Sequence, residues 1–377
     1  MNPHYQALLN GLVRTTPRPL LKIVVDVADH CNLNCRGCDH FSPIAAPGFV
    51  EPEAFEEDMI RLCALMENRM ERIGLMGGEP LLHPQLGSLI TTARKYFPDT
   101  ELYIVTNGLL LPKQDESFWK LCASNNVSIE ITQYPVNFNY SSLRSDMQTR
   151  GVKHKAYGNT DSLAKTTYFL PFDLSGCQDS RQSFLNCMHA NSCIQLKNGR
   201  LYTCTVAANA DRFNNYFGTK LSSSSGDYID IYKAQSANEV LDFLARPIPF
   251  CRFCNVDGRT FNHTWGQSEK SIAEWVEWPL KLTPEKLAEY PDIIIYGADG
   301  CGTRLKQIMD LLPYKFNIRG WAVTDSAGLP DEKEGIPVNP TFDRLHPKNH
   351  KKCKKAHFSN SRNPENSRFL SFESPEF

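Results

Sequence analysis

Directly after Lys22–Val27, a run rich in β-branched residues, the chain carries three cysteines within eight residues: Cys31, Cys35 and Cys38. A strand that empties into a thiol-rich loop constrains the fold more than any other feature. The loop has to stand where three side chains can converge, and the strand has to end there. A structural zinc site takes four ligands, usually as two separated pairs. An odd triad in C-x3-C-x2-C spacing instead suits an iron–sulfur cube with one iron left open. The competing readings are a zinc knuckle and three unrelated thiols.

Compartment decides how the remaining cysteines are read. No stretch reaches the roughly eighteen apolar residues of a membrane span, and Met1–Pro17 lacks the long apolar core of a signal peptide. The expected setting is therefore the reducing cytoplasm, where clustered cysteines bind metal more often than they form disulfides. Of the thirteen cysteines, Cys177, Cys187, Cys193, Cys204, Cys251 and Cys254 fall in the middle third. Cys63 and Cys122, on expected helices, read as buried small hydrophobes. A formal net charge of −1 gives no electrostatic reason to expect a nucleic-acid or acidic-membrane partner.

After the cysteine loop, helical and β-branched stretches alternate. Helices are expected at 53–70, 85–96, 117–124 and 141–150, and strands at 72–76, 101–106, 127–132 and 152–157. Repeated βα units imply a mostly parallel sheet with helices outside it, and ligands bind such sheets at the carboxyl ends of the strands. Gly77–Gly78–Glu79–Pro80 follows the second strand and Thr106–Asn107–Gly108 ends the third, so both are expected on the same rim as the cysteine loop.

The triad after the first strand and Gly77–Gly78–Glu79–Pro80 after the second together resemble the signatures of the radical S-adenosylmethionine (SAM) superfamily. The resemblance covers Lys22 to Gly158 and implies an α/β fold, a partial (β/α)6 barrel. It also implies a [4Fe–4S] cluster on Cys31, Cys35 and Cys38 whose open iron chelates SAM, with Gly77, Gly78 and Glu79 holding the methionyl amine. Asn107 and Thr132, at the ends of strands three and four, are candidates for the SAM carboxylate or ribose. The family usually carries an aromatic residue just before the third cysteine, but Gly37 stands there, so His40 or Phe41 is expected to stack on the adenine instead. The implied chemistry is reductive cleavage of SAM and hydrogen abstraction from a substrate, fed by an electron donor such as flavodoxin or ferredoxin.

A second constellation joins Cys187, Cys193, Cys204, Cys251 and Cys254. Asn198–Gly199 favours a two-residue type I′ hairpin. Pairing about that turn would set Cys193 opposite Cys204, with Cβ atoms about 4.5–5.5 Å apart. The spacing Cys187-x11-Gly199-x4-Cys204 with Cys251-x2-Cys254 resembles the SPASM/twitch extension, which implies one auxiliary [4Fe–4S] cluster. Hairpin geometry favours Cys193 as the fourth ligand, family spacing favours Cys187, and a structural zinc is the other reading.

From about 290 a βαβ-like piece appears: Ile293–Tyr296, a glycine loop through Gly297, Gly300 and Gly302, a helix at 304–312 and a strand at 318–323. Asp299 stands where a dinucleotide fingerprint needs its middle glycine, so no nucleotide is expected there. The expected organisation is a lead-in at 1–21, the partial barrel at 22–158, an auxiliary-cluster region at 159–278, a Rossmann-like half domain at 279–343 and a solvated, disordered tail at 344–377. The expected function is radical oxidation or rearrangement of a small polar substrate, a sugar or nucleotide-sugar first. The alternatives are a peptide maturase, disfavoured by the short segment before the first strand, and a non-enzymatic iron–sulfur carrier, which would not need Gly77–Glu79. No individual catalytic residue stands out.

Overall fold

Strand β1 (Leu21–Ala28) alternates in its packing. Leu21, Ile23, Val25 and Val27 join the main hydrophobic core, and Asp26 points to the other face. The structure, a computed structural model, describes residues 11–158, 166–169, 171–221, 224–278, 280, 282–296, 298, 300–323, 330–339 and 368–370. They fall into two compact units, Met1–Lys270 and Ser271–Phe377. Among the described residues no helix is long and apolar enough to cross a membrane.

In the first unit β1 is followed by α1 (Pro52–Met66), β2 (Met70–Gly77), α2 (Leu86–Tyr96), β3 (Glu101–Thr106), α3 (Glu116–Ser124), β4 (Val127–Thr132), α4 (Tyr140–Thr149) and β5 (His154–Tyr157). Helix α1 stops four residues short of the expected end, where Glu67 and Asn68 turn left-handed. Beyond β6 (Thr166–Phe169) and α5 (Ser180–Asn186) comes a hairpin, β7 (Gln195–Lys197) and β8 (Arg200–Tyr202). Then follow α6 (Thr205–Phe217), β9 (Tyr228–Asp230), α7 (Ala237–Leu244) and β10 (Thr260–Thr264). Eight strands form one sheet in the order β5-β4-β3-β2-β1-β7-β8-β9, parallel from β5 through β7 and antiparallel after it. The sheet has two ends, so it is an open α/β sheet of the expected barrel type and not a closed ring. β6 pairs with β10 in a separate two-stranded sheet.

The two faces of the parallel strands differ in chemistry. The helix-covered face is apolar, built by Ile73, Leu75, Leu102, Ile104, Ile129 and Ile131 against Phe55, Met59, Leu62, Leu89 and Ile90. The other face carries Arg72, Tyr103, Glu130 and Lys155 on adjacent strands. Arg72 pairs with Glu101 and Glu130, its guanidinium lies 4.0 Å from the centre of the Tyr103 ring, and Tyr157 donates to Glu130 at 3.1 Å. Gly74 makes room for that stack, since a Cβ there would stand 2.4 Å from the Tyr103 ring.

The second unit holds α8 (Pro284–Ala288), β11 (Ile293–Tyr296), α9 (Gly300–Leu311), β12 (Ile318–Ala322), β13 (Glu332–Lys333) and β14 (Ile336–Asn339). Ile293, Ile295, Leu305, Met309, Trp321 and Val338 form its core. Gly297 and Asp299 of the glycine loop lie outside the described residues. Of the segment expected to be a solvated tail, only Arg368–Leu370 is described, and it forms a strand, β15, parallel to β11.

Replacing Gly74 by Ala is expected to lower stability by about 1–3 kcal/mol, the usual result of forcing an extra methyl into a filled site. An unchanged denaturation midpoint would show that Tyr103 gives way without loss.

Candidate functional site

The cysteine loop, the Gly77–Gly78–Glu79 turn and Asn107 all follow the carboxyl ends of neighbouring parallel strands, and they interlock. The Gly78 amide donates to Ala28 O at 2.8 Å and the Glu79 amide to His30 O at 3.0 Å. A Cβ on Gly78 would stand 2.0 Å from His30 O, and Gly77 has φ +120°, so this approach of two backbones requires glycine at both positions. Glu79 is fully buried. Its carboxylate accepts from Thr106 Oγ1 (2.6 Å), the Asn107 amide (3.0 Å) and the Leu81 amide (3.2 Å). A carboxylate has about four acceptor positions, so one is left for an outside donor. Burial pushes the Glu79 carboxyl up to about 7 against those three hydrogen bonds.

The thiols of the triad form no disulfide and lie together. Burial pushes Cys38 up to about 12 and raises Cys31, and the neighbouring Cys35 adds to both. Thiols that oppose one another's ionisation are the ones a shared cation stabilises as thiolates. N–H groups already point at the sulfurs, the Leu33 amide at Cys31 (3.4 Å) and Trp265 Nε1 at Cys35 (3.1 Å). Asn107 Nδ2 donates to Asn32 Oδ1 at 2.8 Å, which draws β3 onto the same loop. Trp265 meets Tyr134 edge to face at 5.9 Å, and burial, then Cys35 and Cys38, hold the Tyr134 hydroxyl well above its ordinary value. Thr132 ends β4 half-buried, and both amide atoms of the buried Gln133 beside it lack a hydrogen-bond partner among the described residues. Unpaired buried amides mark places where a ligand completes the hydrogen bonding. The donor set and these open groups fit a [4Fe–4S] cluster and SAM.

The two residues expected at the adenine differ in their surroundings. Phe41, left-handed at φ 54°, is fully buried and packs against Phe172 and Phe213, so its ring is not available to a ligand. His40 is tied to Asp26, with Nδ1 3.0 Å from Oδ2. Sequence spacing gave no hint of Trp265 or Tyr134; the acidic Asp26 inside a β-branched run was the one visible signal for its network.

In the second constellation the hairpin has the expected register, Gln195 opposite Tyr202 and Lys197 opposite Arg200, with φ positive at both Asn198 and Gly199. The pairing does not extend to the cysteines. Thr203 O accepts from the Asn191 amide, and the Cys193 amide turns back to His189 O at 2.8 Å, so Cys193 is not opposite Cys204. Burial lifts Cys204 and Cys254 well above the ordinary thiol value and Cys251 to about 12. Cys187 acts on all three, Cys251 acts on Cys204 and Cys254, and Cys204 acts on Cys254, so these four share one buried region. Cys193 instead hydrogen-bonds His189 and acts on Tyr103. Among the described residues no three His, Cys, Asp or Glu side chains form a ready-made site for a single ion.

Cys187→Ala is expected to abolish the electron resonance signal of a second cluster and Cys193→Ala to leave it; the reverse pattern would mean the hairpin pairing governs. Glu79→Gln turns an amide NH2 toward three donors and is expected to weaken SAM binding about ten- to a hundredfold, from about 1.5–3 kcal/mol for charged hydrogen bonds. Because the ionised carboxylate attracts the SAM ammonium group, affinity in the wild type is expected to fall as pH drops through about 7 and to level off above it. A flat profile would place the ammonium elsewhere.

Residues 25–138 match the Radical SAM superfamily. Over 89 residues, 24% of this chain, it is 34% identical to the GTP 3′,8-cyclase of Sulfurovum sp. (strain NBC37-1), of whose length it spans 27%. The match to the GTP 3′,8-cyclase of Helicobacter pylori is 28% over 149 residues, covering 40% of this chain and 43% of that protein. Among solved structures, BtrN in complex with AdoMet and 2-DOIA superposes with a TM-score of 0.42 at 18% identity, covering 64% of this chain and 94% of that one. Streptococcus suis SuiB bound to S-adenosylmethionine gives 0.31 at 14%, covering 40% and 37%. Residues 25–138, with the triad and the Gly-Gly-Glu turn inside them, thus form a radical SAM domain.

Proposed function

We propose that this protein cleaves SAM reductively and uses the resulting radical to take a hydrogen atom from a small polar substrate. The observation that carries the reading is the interlock of the triad loop with the Gly77–Glu79 turn at one rim of the sheet. When bound, the cluster supplies the electron that splits SAM into methionine and a 5′-deoxyadenosyl radical. The chain's own residues do the rest. Cys31, Cys35 and Cys38 hold the cluster, Glu79 and the two glycines receive the methionyl amine, and Gln133 and Thr132 stand at the rim for the nucleoside. Trp265 and Tyr134 cover the thiols and exclude water.

A small polar substrate is supported by the sheet face that carries Arg72, Tyr103, Glu130, Lys155 and Tyr157, a lining suited to hydroxyl and charged groups. The partial match to proteins named for GTP supports a phosphorylated nucleoside or sugar within that class. Cys187, Cys204, Cys251 and Cys254 are suited to a second cluster that accepts an electron from a substrate radical or ligates the substrate.

Anaerobically reconstituted protein, reduced with dithionite in the presence of SAM, is expected to release 5′-deoxyadenosine. It should contain about eight irons per chain, and about four with no SAM cleavage once Cys31, Cys35 and Cys38 are all Ala, at four irons per cube. Four irons with bound zinc in the wild type would remove the second cluster, and absence of 5′-deoxyadenosine would remove the function.

A further inference from the structure

We propose that Arg212 is a positioning residue that makes the geometry of the triad loop depend on the second cysteine group; this rests on reading that group as a metal centre. Arg212 lies on α6, and its side chain is only 7% exposed. Its Nη1 donates to His40 O at 2.7 Å and to Asp26 Oδ2 at 3.2 Å, and its Nη2 donates to Asp29. Asp29 stands just before Cys31 and His40 just after Cys38. One guanidinium therefore closes the two ends of the loop that carries the triad, and it fixes both to Asp26 at the end of β1. From the same helix Asn209 donates to Asp26 Oδ2 at 2.9 Å. Burial alone would lift the Asp26 carboxyl, but His40 and then Arg212 outweigh it and hold it well below the usual carboxylate range.

The other end of α6 belongs to the second group. Cys204 is the N-cap residue, and its buried thiol lies near Cys187 and Cys251, with the Ala207 and Val206 amides directed at it. At 1.5 Å per residue, Arg212 is about 12 Å along a stiff rod from Cys204. Aromatic packing runs parallel to the rod. Phe213 contacts Phe41, which follows His40, and Phe172, whose backbone bridges to Cys254. A ligand drawn onto Cys204 and Cys254 thus sets where the helix and Phe172 stand, and the helix sets where the ends of the triad loop stand. An ammonium group cannot replace the guanidinium here, because it lacks the planar fork that reaches two carboxylates and a carbonyl together.

The test uses the full chain, reconstituted anaerobically, as wild type, Arg212→Lys, Cys204→Ala and the double variant. Iron content, SAM affinity and the SAM-induced change in the electron resonance of the reduced triad cluster are measured for each. Arg212→Lys is expected to keep both clusters, weaken SAM about tenfold, as loss of a charge-assisted fork does, and blur the SAM-induced change. Cys204→Ala is expected to lose about four irons and weaken SAM by a similar factor, and the double variant should bind SAM no worse than Cys204→Ala alone. Should Arg212→Lys not fold, Asp29→Asn removes one arm of the clasp at a partly exposed residue and is expected to shift affinity and resonance the same way by less. Additive losses of SAM affinity, or wild-type affinity and resonance in both Arg212→Lys and Asp29→Asn, would overturn the coupling alone. Wild-type iron in Cys204→Ala would overturn the reading of the second group and the coupling with it.

Discussion

The contact on which this rim depends is between two backbones. Gly78 lies so near the His30 carbonyl that no side chain fits between them, and the Glu79 amide closes the gap with a hydrogen bond. Two turns from successive parallel strands are thereby locked into one surface. Glu79 then reaches under that surface to Thr106 and Asn107, so the third strand end is held by the same residue. Burying a carboxylate is unfavourable unless its hydrogen bonds are met. Here three donors meet most of them, and the remaining acceptor position is where a cationic group gains most.

The sheet beneath supplies rigidity from one face and chemistry from the other. Parallel strands covered on both faces read as near-continuous apolar runs. These instead alternate, with isoleucine and leucine toward the helices and arginine, glutamate, tyrosine and lysine away from them. The polar residues are paired with one another, which spares each the full cost of leaving water. Gly74 belongs to this arrangement as much as Arg72 does, because the Tyr103 ring occupies the space a side chain would have taken.

Much of this was legible in the sequence because it is local. Strands β3 and β4 run over the residues their alternation marks, and the Asn198–Gly199 turn has the register its dipeptide dictates. The triad and the Gly-Gly-Glu turn are each short runs directly after a strand, so the strand-end rule for parallel sheets set them on one rim. What was not legible comes from contacts between distant segments. Trp265 reaches Cys35 across 230 positions, and Arg212 reaches Asp29 across 183. Cys193 lies off the hairpin for a related reason: strand pairing ends at Gln195, and the Cys193 amide turns back to His189. Phe41 illustrates a third limit, since an aromatic residue beside a cofactor loop is read equally well as a ligand contact or as core, and packing against Phe213 decides for core.

The register of β7 beside β1 has a consequence for modularity. β1 is flanked by β2 on one side and by β7 on the other, so the cysteine-rich middle third contributes a strand to the same sheet as the triad. A fragment ending near Gly158 would present β1 as a bare edge, with unpaired amides and carbonyls beside an apolar face, the arrangement that recruits foreign strands and aggregates. The two cysteine groups are thus joined by backbone hydrogen bonds as well as by sequence. A homologous exchange that imported one without the other would have to repair the sheet before it could inherit any chemistry.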